Sequence, residues 1–303
     1  MPNQCTRDDL LEQFGKPISV LDHGFVRVVD LMGDDAAVVQ AARISTGAGT
    51  KTPEEDRNLI RYLLRMQHSS PFEMATIKLH LKLPIVSMRQ LVRHRTAKLN
   101  EQSGRYSVLP DEMYLPAPEV ISSQSTLNKQ GREAGTPDPN YAQAYLDTVG
   151  STQKLIRAEY EVLIDNGYAR ELARLNLPVA QYTECYWKMD LRNLLHFLHL
   201  RMDYHAQYEI RVYADAIAKI VKAWVPLVWE AFEDYVLGAM TFSKPEIELI
   251  QKMAFFCRGD GAGLDHRLSK REFQEFTVKL FSLGIDSASH MEVLDQDPTR
   301  TSI

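Results

Sequence analysis

Arg93-His94-Arg95-Thr96-Ala97-Lys98-Leu99-Asn100-Glu101-Gln102-Ser103-Gly104-Arg105 is the stretch on which the reading of this chain turns. Arg93, His94, Arg95, Lys98 and Arg105 are cationic or can become so, and Arg89 lies one turn upstream. The chain as a whole has 303 residues and a net charge of −5. A basic cluster on an acidic background suits a bound anion, and guanidinium forks match phosphate geometry in particular. Asn100, Glu101, Gln102 and Ser103 add amide, carboxylate and hydroxyl groups beside it. A ligand with phosphate at one end and hydrogen-bonding ring edges at the other, such as a nucleotide, fits that mixture.

Working outward, Pro84 opens a predicted helix from Ile85 to about His94, with Ile85, Met88, Leu91 and Val92 inward. The basic motif therefore begins at a helix end and runs into a loop, where backbone and side chains can both face a ligand. Before it, Ile77, Leu79, Leu81 and Leu83 alternate with Lys78, His80 and Lys82, the period of a half-buried strand. His68 to Glu73 is a turn, and Pro53 to Gln67 a helix with acidic residues in its first turn. Ser45 to Lys51 reads as a loop, Ala36 to Ile44 as a short helix capped by Asp, and Phe25 to Met32 as a strand. Residues 1–20 are expected to form a loose N-terminal arm. After the motif, 108–140 reads as a long surface excursion rich in Pro, Ser, Gly and Asn. Tyr141 to Ile164 is a long amphipathic helix, Arg170 to Leu177 a second helical piece, and Met189 to about Trp224 the longest helix. Capping boxes at Ser243-x-x-Glu246 and Ser269-x-x-Glu272 start two more helices, and Ser287 to Ile303 is expected to be disordered.

An apolar fraction of 45% and a charged fraction of 25% are those of an ordinary soluble globular protein. Cys5, Cys185 and Cys257 lie far apart, which suits a reducing cytoplasmic setting better than a disulfide framework or a thiolate zinc site. No apolar run is long enough to span a bilayer. The net negative charge argues against a nucleic-acid polymer as partner.

On the predicted long helix, Arg192, His196, His199 and Asp203 form one stripe, beside an apolar stripe of Leu191, Leu194, Leu195, Leu198 and Met202. Asp190, Arg201, His205 and Tyr208 project elsewhere. One reading is a solvated helix edge; the other is a central helix with ligand contacts on two sides, as at a subunit junction. Two His and an Asp on one face could also bind a divalent ion, but no His-Glu-x-x-His or Glu-x-x-His strengthens it, and no metal is expected.

Arg93-His94-Arg95, seven residues, then Ser103 resembles the signature of the flavin-dependent thymidylate synthases, and Asn100-Glu101-x-Ser103-x-Arg105-Tyr106-Ser107 extends the match. His68-x-x-Pro71-Phe72-Glu73 resembles a second block of that family. Leu191 through Arg201, with His205-Ala206-Gln207-x-Glu209-Ile210, resembles a third. The blocks fall in the right order across roughly residues 20–235.

The resemblance implies a compact α/β (α+β) fold, with a central sheet containing antiparallel strands, long helices and a homotetrameric assembly. The implied boundaries are the arm 1–20, a synthase domain 21–237, and a C-terminal helical extension 238–303 with a disordered tail. It implies reductive methylation of dUMP to dTMP in the cytoplasm, with methylenetetrahydrofolate as carbon donor and FAD, reduced by NADPH, as cofactor. The implied catalytic residues are Arg201, which would polarise the uracil ring, with Ser103 and His68. Gln90, Arg93, Glu101, Gln102, Ser103, Gly104, Arg105, Arg174 and Arg201 would hold dUMP. Ser70, Glu73, Arg93, His94, Arg95, Asn100, Glu101, Asp190, Arg192 and His196 would hold FAD. Ser103 is expected to position rather than attack. The chain departs from the family pattern at Lys98, Gln102, Asp190 and His196. Two other readings remain: a metal-dependent nucleotide phosphohydrolase using His196, His199 and Asp203, and an RNA-binding protein using the basic motif.

Overall fold

The computed structural model describes residues 6–44, 47, 52–125, 131–132, 138–256 and 270–285. The first helix, α1 (Arg7–Phe14), stands where a loose arm is expected. Thr6 and Asp9 close a reciprocal capping box, and Leu10 and Phe14 sink into the core. Strands β1 (Ile18–Val20) and β2 (Gly24–Met32) form a hairpin, followed by α2 (Asp35–Ile44) and α3 (Pro53–Arg65). β3 (Thr76–Pro84) has the alternation read from its sequence: Ile77, Leu79, Leu81 and Leu83 are buried. Each such burial contributes roughly 1.5–3 kcal/mol.

α4 (Ile85–Leu91) is shorter than expected, because the chain turns back on itself through Ala97. It then enters β4 (Lys98–Glu101), an edge strand where a loop is expected. Among its described residues the excursion carries one short 3₁₀ turn, Pro118–Val120, before α5 (Pro139–Asp165) and α6 (Arg170–Ala173). β5 (Tyr182–Asp190) has no counterpart in the sequence reading. The five strands pair antiparallel in the order β1-β2-β3-β5-β4.

The predicted 189–224 helix is instead three elements. Met189 and Asp190 end β5; Asp190 caps α7 (Leu191–Arg201); and α8 (Tyr208–Trp224) starts after a turn. In that turn Asp203 Oδ1 accepts the His205 backbone N–H at 2.8 Å, a local bond that competes with helix continuation. α8 turns most of its surface to the core, with Ile210, Tyr213, Ile217, Ile220 and Trp224 buried and Asp215, Lys219 and Lys222 exposed. α9 (Pro226–Phe232) begins on the buried Asp35 carboxylate, which accepts the Leu227 and Val228 backbone N–H groups at 3.0 Å each.

A second compact unit begins at Gly238. It contains α10 (Lys244–Phe256) and α11 (Lys270–Ser282), held by Leu249, Phe276 and Leu280. The Ser243 N–H donates to Glu246 Oε2 at 2.6 Å, as a capping box requires. Ser269 and the predicted disordered tail lie outside the described residues.

Candidate active site

Three groups of side chains, placed by different elements, carry the site residues read from the sequence. The first sits where α4 gives way to its turn. Gln90 and His94 point at Arg201, the last residue of α7: Arg201 Nη1 donates to Gln90 Oε1 at 3.2 Å, and Arg201 Nε donates to His94 Nε2 at 3.1 Å. Both acceptors are neutral. Burial, then the nearby Arg201 and His196, push His94 down to about 4. Among the described residues no carboxylate pairs with Arg201. Its charge is half-buried and uncompensated, and burial lowers its pKa from the usual arginine value. Uncompensated positive charge in a partly dry place favours negative charge that develops beside it.

The second group is the loop after β4. The Gln102 N–H donates to the Glu184 carbonyl at 2.8 Å, prolonging the β4–β5 pairing. Ser103 Oγ accepts the Arg105 N–H at 3.3 Å, so this hydroxyl shapes the turn. Gly104 is buried against Leu109 and Arg174; a Cβ there would stand 3.2 Å from Arg174 Cδ. Arg105 pairs with Glu171 at 3.1 Å, and the Thr183 hydroxyl donates to Glu101 Oε1 at 2.9 Å. Gly104, Arg105 and Arg174 are thereby brought together. Among the described residues no hydrogen bond or ion pair joins this loop to Arg201.

The third group rims a cavity of about 290 Å³ between the end of α3 and α7. His68, Arg192, His196 and His199 supply polar groups, with Phe72 and Leu195 among its apolar walls. Gln67, at φ 57°, turns the chain in the left-handed region so that His68 follows on the cavity side. Ser70 and Glu73 lie on the adjoining 3₁₀ turn, Ser70–Met74. His94 links this group to the first, its ring centroid 6.4 Å from that of His196. His196 also stays below the usual histidine value, through burial, Arg192 and His199.

Arg93 and Arg95, on the turn, and Asn100, on β4, are exposed. Arg93, Arg95 and Arg192 have no carboxylate partner among the described residues, whereas Arg57, Arg61 and Arg157 do. The Asp190 carboxylate is committed to the Asn193 backbone and side-chain N–H groups, as the cap of α7. The stripe proposed for a metal does not form: Asp203 lies beyond the end of α7 and meets His205 Nδ1 at 2.9 Å. The phosphohydrolase reading loses its support with it. Gln207 and Glu209 stand in the motif without a role assigned from the sequence, and Tyr114 and Arg132 carry no sequence signal; Gln207 joins the Arg201 group through Gln90, Glu209 through Gln207, and Tyr114 and Arg132 through Glu209.

Comparison with known proteins identifies the family. Residues 27–227 match the family model described as thymidylate synthase complementing protein. A flavin-dependent thymidylate synthase of Rickettsia bellii is 50% identical over 277 residues, covering 86% of this chain and 92% of the relative. One from Wolbachia pipientis wMel is 49% identical over 278 residues, covering 90% and 96%. Among solved structures, the UMP/dUMP methylase PolB from Streptomyces cacaoi, bound with 5-Br UMP, matches with a TM-score of 0.66 and 33% identity. That match covers 72% of this chain and 96% of PolB.

Proposed function

We infer this chain's reaction from the premise that it belongs to the flavin-dependent thymidylate synthases, the family of the thymidylate synthase complementing protein. It methylates dUMP to dTMP and works with a flavin. In this reading the flavin is FAD, NADPH reduces it, and methylenetetrahydrofolate gives the carbon. We assign this chemistry to residues 21–237 and leave the extension 238–303 outside it.

The observation that carries the reading is the uncompensated Arg201 guanidinium, held by two neutral acceptors. Arg201 stabilises the negative charge that develops on a uracil ring oxygen, which raises the nucleophilicity of carbon five. Arg105 and Arg174 take the dUMP phosphate, with Gln90, Arg93, Glu101, Gln102, Ser103 and Gly104 closing round the nucleotide. Ser103 positions, since its oxygen already accepts the Arg105 N–H. The cavity suits a flavin, with apolar walls for the ring and Arg192 on its rim; Arg192 and the exposed Arg95, neither with a carboxylate partner among the described residues, would take its phosphates. Ser70, Glu73, Arg93, His94, Asn100, Glu101 and His196 complete that binding surface, with Asp190 supporting it as the cap of α7 and His68 at its rim. When bound, the flavin supplies the hydride and mediates the carbon transfer.

The reading includes a homotetramer with shared sites. Every β4 residue is exposed, and among the described residues no hydrogen bond or ion pair joins the 102–107 loop to Arg201, so a second copy would complete the site. Tyr106 at 79% exposure and Leu155 at 72% are apolar surface for such contacts. No described helix is long and apolar enough to cross a membrane, and the substrates are soluble metabolites, which suits the cytoplasm.

The test is direct. Purified protein should show an oxidised-flavin spectrum, form dTMP from dUMP with NADPH and methylenetetrahydrofolate, and sediment as a tetramer. A stable monomer with full activity would remove the shared site. Flavin-free protein that forms no dTMP would remove the reaction.

A further inference from the structure

Behind the Arg201–Gln90 contact lies a line of polar groups whose hydrogen bonds all run one way. Arg201 Nη1 donates to Gln90 Oε1, Gln90 Nε2 donates to Gln207 Oε1, and Gln207 Nε2 donates to Glu209 Oε2 at 2.8 Å. Glu209 is 3% exposed. Its other oxygen accepts the Tyr114 hydroxyl at 3.2 Å and pairs with the Arg132 guanidinium. Burial pushes the Glu209 carboxyl up, and the bonds from Arg132 and Gln207 outweigh that and hold it below the usual glutamate value.

A carboxylate has no proton to donate. Gln207 must therefore turn its NH₂ toward Glu209, which leaves its oxygen for Gln90. Gln90 must then give its NH₂ to Gln207 and its oxygen to Arg201. The orientation of each amide is set by a charge at the far end of the line. Were it reversed, the Gln90 NH₂ would face the guanidinium, donor against donor.

We propose that Glu209 is a positioning residue of the site, fixing the Arg201 guanidinium through Gln207 and Gln90, and tying Tyr114 and Arg132 to the same line. The proposal rests on the reading of Arg201 as the group that polarises the uracil ring. A purely structural role would make Glu209 only the ion-pair partner of Arg132, with effects independent of those at Gln90.

The test is a double-mutant cycle on the holoenzyme, reading the single-turnover rate of dTMP formation at saturating dUMP. Glu209→Gln keeps the shape but can donate, so both amides are free to invert. It should slow methyl transfer about tenfold, and Glu209→Gln with Gln90→Met should be no slower than the slower single variant. Gln207→Met breaks the line while leaving Glu209 with Arg132; it should show the same loss, and it decides the matter if Glu209→Gln does not fold. Losses that multiply in the double variant, or a wild-type rate in Gln207→Met, would overturn the relay. If the unaltered holoenzyme forms no dTMP, the reaction assignment fails, and the relay loses its purpose with it.

Discussion

The Nε–H of Arg201 donates to His94 Nε2 at 3.1 Å, so the imidazole must be neutral with its proton on Nδ1. Burial, with Arg201 and His196 behind it, holds His94 down to about 4. A histidine depressed in the fold contributes stability that is present above its ordinary value of 6.5, and loses it as pH falls toward about 4. We expect ¹⁵N-histidine NMR to show His94 as the Nδ1–H tautomer, with no titration between about pH 7 and about pH 5. Titration near 6.5 would mean that the Arg201 contact does not persist in solution.

Gly104 sets the position of Arg174. A methyl group there would stand 3.1 Å from Leu109 Cδ1 and 3.3 Å from Arg174 Nη1, so in Gly104→Ala the Leu109 and Arg174 side chains must give by a few tenths of an ångström, which shifts the guanidinium. The KM for dUMP should rise about tenfold with a smaller change in kcat, as for lost ground-state binding. An unchanged KM would remove Arg174 from the nucleotide site.

We expect the chemistry to proceed without a thiolate. Cys185 is buried on β5, and burial, then Glu101 and Glu184, push its thiol up to about 12. Cys5 and Cys257 lie outside the described residues. The triple change Cys5→Ser, Cys185→Ala, Cys257→Ser should retain dUMP methylation, at a stability cost of about 1–2 kcal/mol for the cavity at Cys185. Loss of methyl transfer in a folded variant that still binds flavin and dUMP would implicate a thiol nucleophile.

Asp35 gives the fold a pH dependence of its own. Burial raises its carboxyl to about 6, against the bonds it accepts from Leu227 and Val228. A carboxyl raised in the fold contributes stability that is complete below its ordinary value of 3.8 and is lost as pH rises through about 6. Asp35→Asn cannot titrate. The stability gap between wild type and this variant should therefore narrow by about 2 kcal/mol from about pH 4.5 to about pH 7.5. A gap that is constant over that range would place the Asp35 proton elsewhere.

What was legible in the sequence follows from burial. β3 showed itself because one face is buried and the other is not, so Ile77 through Leu83 alternate. β4 did not, because all four of its residues are exposed in the protomer and pairing alone leaves no pattern. β5 alternates only from Cys185 on, with Cys185, Trp187 and Met189 buried; Tyr182 and Thr183 before them are both buried, which breaks the period, and Met189 merges into the apolar spacing of α7. The break between α7 and α8 carries neither Pro nor Gly; Asp203 makes it by bonding its own backbone neighbour. The basic motif was legible as chemistry because its cations crowd in sequence. The Gln90–Gln207 contact was not, since the two residues are 117 positions apart.

The central claim is that the Arg201 charge drives methyl transfer. Its most direct test is the single-turnover rate of dTMP formation by pre-reduced holoenzyme with dUMP and methylenetetrahydrofolate, wild type against Arg201→Ala. The account predicts that the variant keeps its flavin and slows this step by roughly 100- to 1000-fold, the scale of losing one preorganised charge-stabilising group. A variant that forms dTMP at the wild-type rate would contradict it.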